Sequence, residues 1–287
     1  EWPSEITCVI AGSAWGSSYK FNIAELPAGC DIFVIGQYAF DRDNGIDVHT
    51  TKENNDIIKS LHEANKIVYL ILGFVNKTDW PSIFAPKDEE QYKKEKMGPL
   101  ISFLNDFNIS GLLMNIRKIY VSFDFTITNK ELDIYLIDIQ KLNDFCDSDV
   151  KKYGMTPIKS PTPNMTSMEQ VTSAVTGSTM DKLKIYAMLK CHVRIPNGQP
   201  KINNKLITSY STYCSTNTPQ SSLWCQDRSQ FSFDQGAFAK KNYKGIVINI
   251  LDGDDFNSSC GCGLFPVTNA MISGWKSTPL TPCPRLD

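Results

Sequence analysis

Histidine is scarce in this chain, and the sites that depend on it are correspondingly few. Among 287 residues there are three histidines, His49, His62 and His192. His192 follows Cys191 directly, but neighbouring side chains on a strand point to opposite faces, so the two do not predict a thiol–imidazole nucleophile. The sequence also lacks a Gly-rich phosphate loop and a G-x-S-x-G motif. None of these kinds of active site is therefore predicted.

Strong charge and long apolar runs are lacking as well. The formal net charge is −2 at pH 7, which gives no basic surface for nucleic acid or for an anionic membrane. No apolar run is long enough to span a bilayer. We therefore expect no nucleic-acid partner and no membrane span. No cofactor is expected either.

Cysteine is plentiful by comparison, with nine residues. No two pairs have the Cys-x-x-Cys spacing of a zinc site, and Cys260-Gly261-Cys262 is too short and too isolated for one. Disulfides are the better explanation, and they predict an oxidising compartment. The odd count leaves one thiol free or intermolecular, for which Cys146 and Cys191 are the best candidates because both lie on predicted buried strands.

Two further features predict a secreted, extracellular glycoprotein. The sequence starts at Glu1-Trp2-Pro3 rather than at Met, as expected once a signal peptide has been removed. Asn-x-Ser/Thr sequons predict glycosylation at Asn76, Asn108, Asn164 and Asn257. Asn108 is the least suited of the four, because it adjoins a strand that is predicted to be buried.

Short apolar runs alternate with amphipathic segments in the first half of the chain. Predicted strands lie at 8–10, 30–40, 66–74 and 108–117, and predicted helices lie at 52–64 and 88–107. This order of strand, helix and strand predicts a parallel sheet with right-handed crossovers.

The second half continues the pattern less regularly. We predict strands at 119–126, 145–150, 181–189 and 246–256, helices at 132–142 and 168–175, and a last helical turn at 238–243. Residues 195–233 are polar and contain many Pro, Ser and Thr residues, which predicts a loop tied by disulfides. Residues 277–287 form a Pro-rich tail, which Cys283 could attach to the rest of the chain.

The runs Asn108–Arg117 and Ile246–Phe256, together with the earlier strands, resemble the glycoside hydrolase family 18 chitinases and their chitinase-like relatives. The resemblance implies an α/β fold, a degenerate (β/α)8 barrel over residues 1–275. It also implies that the family's α+β insertion is reduced to the loop at 195–233. A tail at 276–287 follows the barrel.

The resemblance implies the fold of the family but not its catalytic activity. In the family the fourth strand carries Asp-Gly-x-Asp-x-Asp-x-Glu, and the Glu is the general acid. The matching positions of this chain are Ser110, Leu113, Asn115 and Arg117, so no carboxylate remains. An arginine guanidinium stays charged and cannot act as an acid near neutral pH. We expect Arg117 to pair with Asp124, Asp147 or Asp252, and Asp252 is the favoured partner.

Three positions match the family's sugar groove, namely Trp15, Phe74 and Asn249. Asn249 stands where the family has a tryptophan that forms the floor of the central sugar site, and Trp15 could equally be a loop residue that caps the barrel. The acids of the run Asp252–Asp255 are retained, and we expect them to stabilise the turn. A calcium site is disfavoured because the remainder of an EF-type loop is missing, so no metal is expected.

The family's two disulfides imply particular pairings here. They are Cys8 with Cys30, and Cys214 with either Cys260 or Cys262, which leaves Cys225 for the remaining member of that pair.

These features together predict a secreted, catalytically inactive chitinase-like protein that acts by binding. The loss of the tryptophan at Asn249 and of the insertion favours a protein partner, in an effector or inhibitor role. A lectin-like glycan binder is the alternative. A structural or storage role and an unrecognised hydrolase are the less favoured hypotheses.

Overall fold

The computed structural model describes residues 5–12, 22–41, 43–46, 52–74, 88–114, 133–140, 142–143, 146–196, 201, 206–216 and 224–287. The strands are β1 Ile6–Ile10, β2 Ile32–Asp41, β3 Gly45–Ile46, β4 Ile67–Phe74, β5 Gly111–Met114, β6 Tyr135–Asp138, β7 Ile185–Lys190, β8 Val193–Arg194, β9 Ile207–Thr208 and β10 Gly245–Asn249. The α-helices are α1 Lys52–Glu63, α2 Glu89–Tyr92, α3 Gly98–Asp106, α4 Ser148–Tyr153, α5 Met168–Thr176, α6 Tyr210–Ser215, α7 Ser229–Asn242 and α8 Pro266–Lys276. Within this part of the chain, no helix combines the length and apolar character needed to cross a membrane.

One compact unit comprises residues 1–9, 25–31 and 124–287. Its sheet has the strand order β1–β10–β7–β6, and each pair of neighbours is parallel. Every residue of β1 is buried, as expected for a parallel strand that is covered on both faces. The α/β class is confirmed, and so are the strands expected at 8–10, 181–189 and 246–256, the last of which ends at Asn249.

Two predicted elements of this unit are wrong. The segment 132–142, predicted as a helix, contains the strand β6, which pairs with β7. The segment 145–150, predicted as a strand, leads into the helix α4. Asp147 caps that helix by accepting a hydrogen bond from the Val150 N–H at 2.9 Å, and Gly154 ends it with a positive φ of 81°.

Helix α7 replaces the single helical turn that was predicted at 238–243. It has 14 residues and packs against α8. The two helices approach closely at two glycines. A Cβ added at Gly236 would lie 2.1 Å from the Met271 carbonyl oxygen, and one added at Gly274 would lie 2.0 Å from that of Phe233. Only glycine permits this backbone contact.

The segment 195–233 is not a simple loop. Strand β9 pairs with β8 in an antiparallel hairpin, the helix α6 follows, and α7 begins inside the segment. The tail that begins after α8 is held in place, because the Asp287 carboxylate accepts hydrogen bonds from the N–H and Oγ of Ser229 at 3.0 and 2.6 Å.

A second compact unit comprises residues 10–24 and 32–123. Strands β2, β4 and β5 are parallel neighbours, and β3 adds to β2 in antiparallel orientation. The helices expected at 52–64 and 88–107 are confirmed as α1 and as α2 with α3, which a π-helical segment, Lys93–Met97, joins. The strand predicted at 108–117 starts at Gly111, and Leu112 and Leu113 are only half-buried.

Candidate functional site

The carboxyl ends of β6, β7 and β10 bring polar side chains together in the first unit. Ligands of parallel α/β folds bind at the carboxyl ends of the strands. We define the carboxyl edge as Asp138, Gln140, Met188, Lys190 and Asn249. The register places Asp138 beside Met188 and Lys190 beside Asn249, and the peptide bond that follows Asn249 is cis.

A chain of hydrogen bonds connects four of these residues. Asn249 Nδ2 donates to Gln140 Oε1 at 2.7 Å. Gln140 Nε2 donates to Asp138 Oδ1 at 3.0 Å and to the Met188 sulfur. Gln140 is 6% exposed, whereas Asn249 and Met188 are half-buried and Asp138 is exposed. The buried glutamine therefore fixes polar groups that remain accessible to a ligand.

Lys190 is turned away from this chain into a buried ion pair. Its Nζ lies 3.1 Å from Asp227 Oδ2, and the two side chains are 2% and 1% exposed. Asp227 Oδ1 also accepts a hydrogen bond from the Met155 N–H at 3.2 Å, and Lys190 Nζ contacts the Met155 sulfur at 3.2 Å. This pair was not predicted from the sequence, although a lysine directly after the apolar run of β7 was a signal for it.

The acids that follow β10 bind the protein's own backbone. Asp254 accepts hydrogen bonds from the N–H groups of Asp255 and Thr268 at 2.8 and 2.7 Å. Asp255 accepts from the N–H groups of Ser259 and Cys260 at 2.9 and 2.7 Å. Burial raises the pKa of Asp254, and these backbone donors oppose that rise. In the described part of the chain, no group of three or more His, Cys, Asp and Glu side chains could hold a metal ion.

Cys191 does not have the surroundings of a nucleophile. Its side chain is fully buried, with Sγ 3.3 Å from Thr268 Oγ1. Burial raises the pKa of the thiol, and the nearby charge of Asp254 raises it further. A buried neutral thiol is unreactive. The neighbouring His192 is buried too, and His49 lies outside the described residues.

All nine cysteines lie in the described part of the chain, and eight of them form disulfides. The pairs are Cys8–Cys30, Cys146–Cys225, Cys214–Cys260 and Cys262–Cys283. The first is the pair that the resemblance implies, and the third is one of the two alternatives for Cys214. The partner predicted for Cys225 is wrong, because Cys225 bonds Cys146, which is therefore not free. Cys191 is the free cysteine.

The degenerate catalytic positions are described only in part. Ser110 is exposed, and its N–H donates to the Val68 carbonyl oxygen at 2.9 Å. Leu113 is half-buried on β5 beside Ile71. Asn115 and Arg117 lie outside the described residues, so the pairing expected for Arg117 stays a prediction.

The predicted groove and glycosylation positions are only partly described. Trp15 and Asn76 lie outside the described residues, and Phe74 ends β4 with a side chain that is not described. The sequon residues Asn108, Asn164 and Asn257 are exposed.

Several chitinases and a pseudo-chitinase are similar to this chain in structure. No protein-family model matches the sequence, and no curated protein matches it significantly. Catalytic domain 2 of the Group II chitinase of Ostrinia furnacalis has a TM-score of 0.69 at 12% identity, covering 99% of each chain. Human YKL-39, described as a pseudo-chitinase with retained chitooligosaccharide-binding properties, has a TM-score of 0.69 at 13% identity, covering 95% of this chain and 99% of that one.

A chitinase from Bacteroides thetaiotaomicron has a TM-score of 0.65 at 13% identity, covering 96% of this chain and 98% of that one. At these identities the likeness concerns the fold alone. The chain therefore has the α/β-barrel fold of the glycoside hydrolase family 18 chitinases and their chitinase-like relatives.

Proposed function

We propose that this protein is a catalytically inactive chitinase-like protein that binds a glycan at the carboxyl edge. The observation that carries the proposal is the hydrogen-bonded chain from Asn249 through Gln140 to Asp138, which presents polar atoms to solvent at the strand ends. Polar groups with fixed orientation are what a site needs to bind hydroxyl and amide groups specifically. The retained chitooligosaccharide binding described for YKL-39 supports the same function on the same fold.

The absence of hydrolysis follows from the residues at the catalytic positions. A positioned general acid contributes roughly 10²–10⁴-fold to the rate, and Ser110, Leu113, Asn115 and Arg117 provide no carboxylate. We expect no release of fluorophore from a fluorogenic chitobioside at acid or neutral pH. Turnover clearly above that of a heat-denatured sample would show that the protein is an enzyme.

Binding is tested with a glycan array, followed by calorimetry on the best ligand. Asn249→Ala and Gln140→Ala should each weaken binding by about three- to tenfold, because each removes a hydrogen-bonding group from the edge or from its support. Asn242→Ala, an exposed asparagine near the end of α7, is the matched control and should bind like the unaltered protein. Equal affinities of all four proteins would show that the glycan binds elsewhere.

A protein partner, in an effector or inhibitor role, is the second candidate. A cavity of about 200 Å³ in the same unit favours it, since Tyr153 and Phe231 line it together with Lys159 and Asp234. Aromatic side chains are enriched at protein interfaces. A partner captured by the unaltered protein and lost with Phe231→Ala, alongside an array without hits, would favour this candidate over the glycan.

We also propose that the protein is secreted and glycosylated. Four disulfides are consistent with an oxidising compartment, and the exposed Asn164 and Asn257 are accessible to glycosylation. Expression in a secreting eukaryotic cell should give a product whose mass falls on treatment with an N-glycosidase. An unchanged mass would contradict the glycosylation.

A further inference from the structure

The direction of every hydrogen bond along the carboxyl edge is fixed by one carboxylate. An ionised aspartate has acceptor atoms and no donor, and a thioether sulfur is likewise an acceptor. Both contacts of the Gln140 amide nitrogen are of this kind, namely Asp138 Oδ1 and the Met188 sulfur. The NH2 group of Gln140 must therefore face these two atoms, and its Oε1 must face Asn249.

The same reasoning orients Asn249. Because Gln140 Oε1 is an acceptor, the Asn249 group that lies 2.7 Å from it must be the NH2 group. The Asn249 carbonyl oxygen, Oδ1, then points away from Gln140. Among the described residues no donor bonds Asn249 Oδ1 or Asp138 Oδ2, since both bonds to Asp138 from Gln140 end on Oδ1.

The Gln140 amide nitrogen and one N–H of the Asn249 amide thus bond within the edge, and Asp138 Oδ2 and Asn249 Oδ1 are left as acceptors. The one cation of the five edge residues is Lys190, and the buried Asp227 already neutralises its charge. An anionic ligand would meet the exposed Asp138 carboxylate, and the side chains of these five residues would offer it only the second, uncharged N–H of the Asn249 amide. A ligand with an ammonium group would instead form a charge-assisted hydrogen bond to Asp138.

We propose that the carboxyl edge selects glycans by charge, binding saccharides with free amino groups most tightly, neutral saccharides less tightly and acidic saccharides most weakly. This inference rests on the proposed glycan-binding function and names the ligand class of the same site. Asp138 is the specificity-determining residue, and Gln140 is the positioning residue that keeps the Asn249 carbonyl oxygen outward.

The test compares three oligosaccharides of equal length by calorimetry: glucosamine oligomers, N-acetylglucosamine oligomers and oligomers of an acidic uronic-acid sugar. Because Asp138 is exposed, its contribution is modest, and the glucosamine oligomer should bind about three- to tenfold more tightly than the acetylated one. Salt near 1 M should abolish this preference, because the Debye length falls to about 3 Å. The acidic oligomer should bind most weakly of the three.

Variants distinguish the effect of the Asp138 charge on binding from the effect of the protein's net charge. Asp138→Asn should bring the affinity ratio of the glucosamine oligomer to the acetylated oligomer to about one, and Asp138→Glu should keep the preference. Glu169→Gln, at an exposed position on α5, changes the net charge equally and should leave the ratio unaltered.

The outcomes distinguish the inference from the proposed function. Equal binding of amino and acetylated oligomers by the unaltered protein, tighter binding of the acidic oligomer, or a preference that survives Asp138→Asn would overturn the charge selection while glycan binding stands. Failure of all three oligomers to bind while other glycans on the array bind would overturn this inference alone. Failure of the three together with an array without hits would overturn the proposed function, and this inference with it.

Discussion

Lys190 and Asp227 are both almost completely buried, so each depends on the other to compensate its charge. Removing a charged group from water costs several kcal/mol, which the attraction between the partners offsets only when both are present. The pair also joins the end of β7 to the segment before α7. The ion pair therefore helps to hold Lys190, and with it the end of β7, in place at the carboxyl edge.

Substitution of one partner should be far more costly than substitution of an exposed counterpart. Lys190→Met leaves Asp227 buried without a cation and should lower the free energy of unfolding by about 3–5 kcal/mol. Lys240→Met is the matched control, since Lys240 forms a half-exposed ion pair with Glu5, and it should cost less than about 1 kcal/mol. Urea unfolding with the disulfides intact measures both values. A double variant, Lys190→Met with Asp227→Asn, should recover part of the loss, and similar costs for the two single variants would contradict the argument.

Tyr186 gives the protein a predictable response to alkaline pH. Burial raises the pKa of its phenol to about 12, and the negative charge of Glu5 contributes. In the unfolded chain a phenol ionises near pH 10. The contribution of Tyr186 to stability is therefore complete below about pH 10 and is lost as the pH rises toward about 12. Tyr186→Phe should remove this part of the decline, and urea midpoints measured over the same range test it. Parallel pH profiles of the two proteins would contradict the assignment.

At the scale of elements, the contact between α7 and α8 depends on two glycines. A methyl group at Gly236 or Gly274 would collide with a backbone carbonyl oxygen of the other helix, so Gly236→Ala and Gly274→Ala should each lower the free energy of unfolding by about 1–3 kcal/mol. Gly98→Ala is the control, because an added Cβ there has only an ordinary contact at 3.8 Å. It should be neutral or stabilise by up to about 1 kcal/mol through helix propensity. Chemical unfolding compares the three, and loss of stability with Gly98→Ala alone would refute the explanation.

Elements that are buried through apolar side chains can be predicted from the sequence, whereas the helix α7 cannot. Strands such as β1 and β10 are continuous apolar runs, which predict buried parallel strands. The buried face of α7 consists instead of small or polar residues, Ser229, Ser232, Gln235, Gly236 and Ala239. Their spacing is helical, but they do not form the apolar stripe from which an amphipathic helix is predicted. The close contact with α8 requires small side chains at these positions.

Around residue 140 a strand was predicted as a helix and a helix as a strand, and these two errors have a different cause. Tyr135, Leu136 and Ile139 fit helical spacing as well as a short strand, and a run of this length does not separate the two. The helix α4 was predictable, since Asp147 is an N-cap residue and Gly154 follows the last turn. Misplacing β6 also hid the site, because Asp138 and Gln140 reach the carboxyl edge only if β6 is a strand. Asn249 was found through the family resemblance.

For the whole molecule, Cys191 provides an intrinsic probe of unfolding. Its thiol is fully buried and its pKa is raised, so only opening of the structure exposes it. Iodoacetamide should modify Cys191 at least about a hundredfold more slowly in the native protein than in concentrated urea, given ordinary domain stability. Mass spectrometry measures the rates, and Cys191→Ala should take up no label in either condition. Rapid modification of the native protein would show that the surrounding core opens readily.

The overlapping disulfides have a consequence for proteolysis. The loops closed by Cys146–Cys225 and Cys214–Cys260 overlap in sequence, and Cys262–Cys283 closes a third loop two residues later. Every peptide bond between Cys146 and Cys260, and between Cys262 and Cys283, therefore lies inside a covalent ring. A protease that cuts once in either stretch produces a nicked chain whose pieces stay joined until the disulfides are reduced. Between Cys146 and Cys283, the two peptide bonds of Gly261 are the places where a single cut can release a fragment.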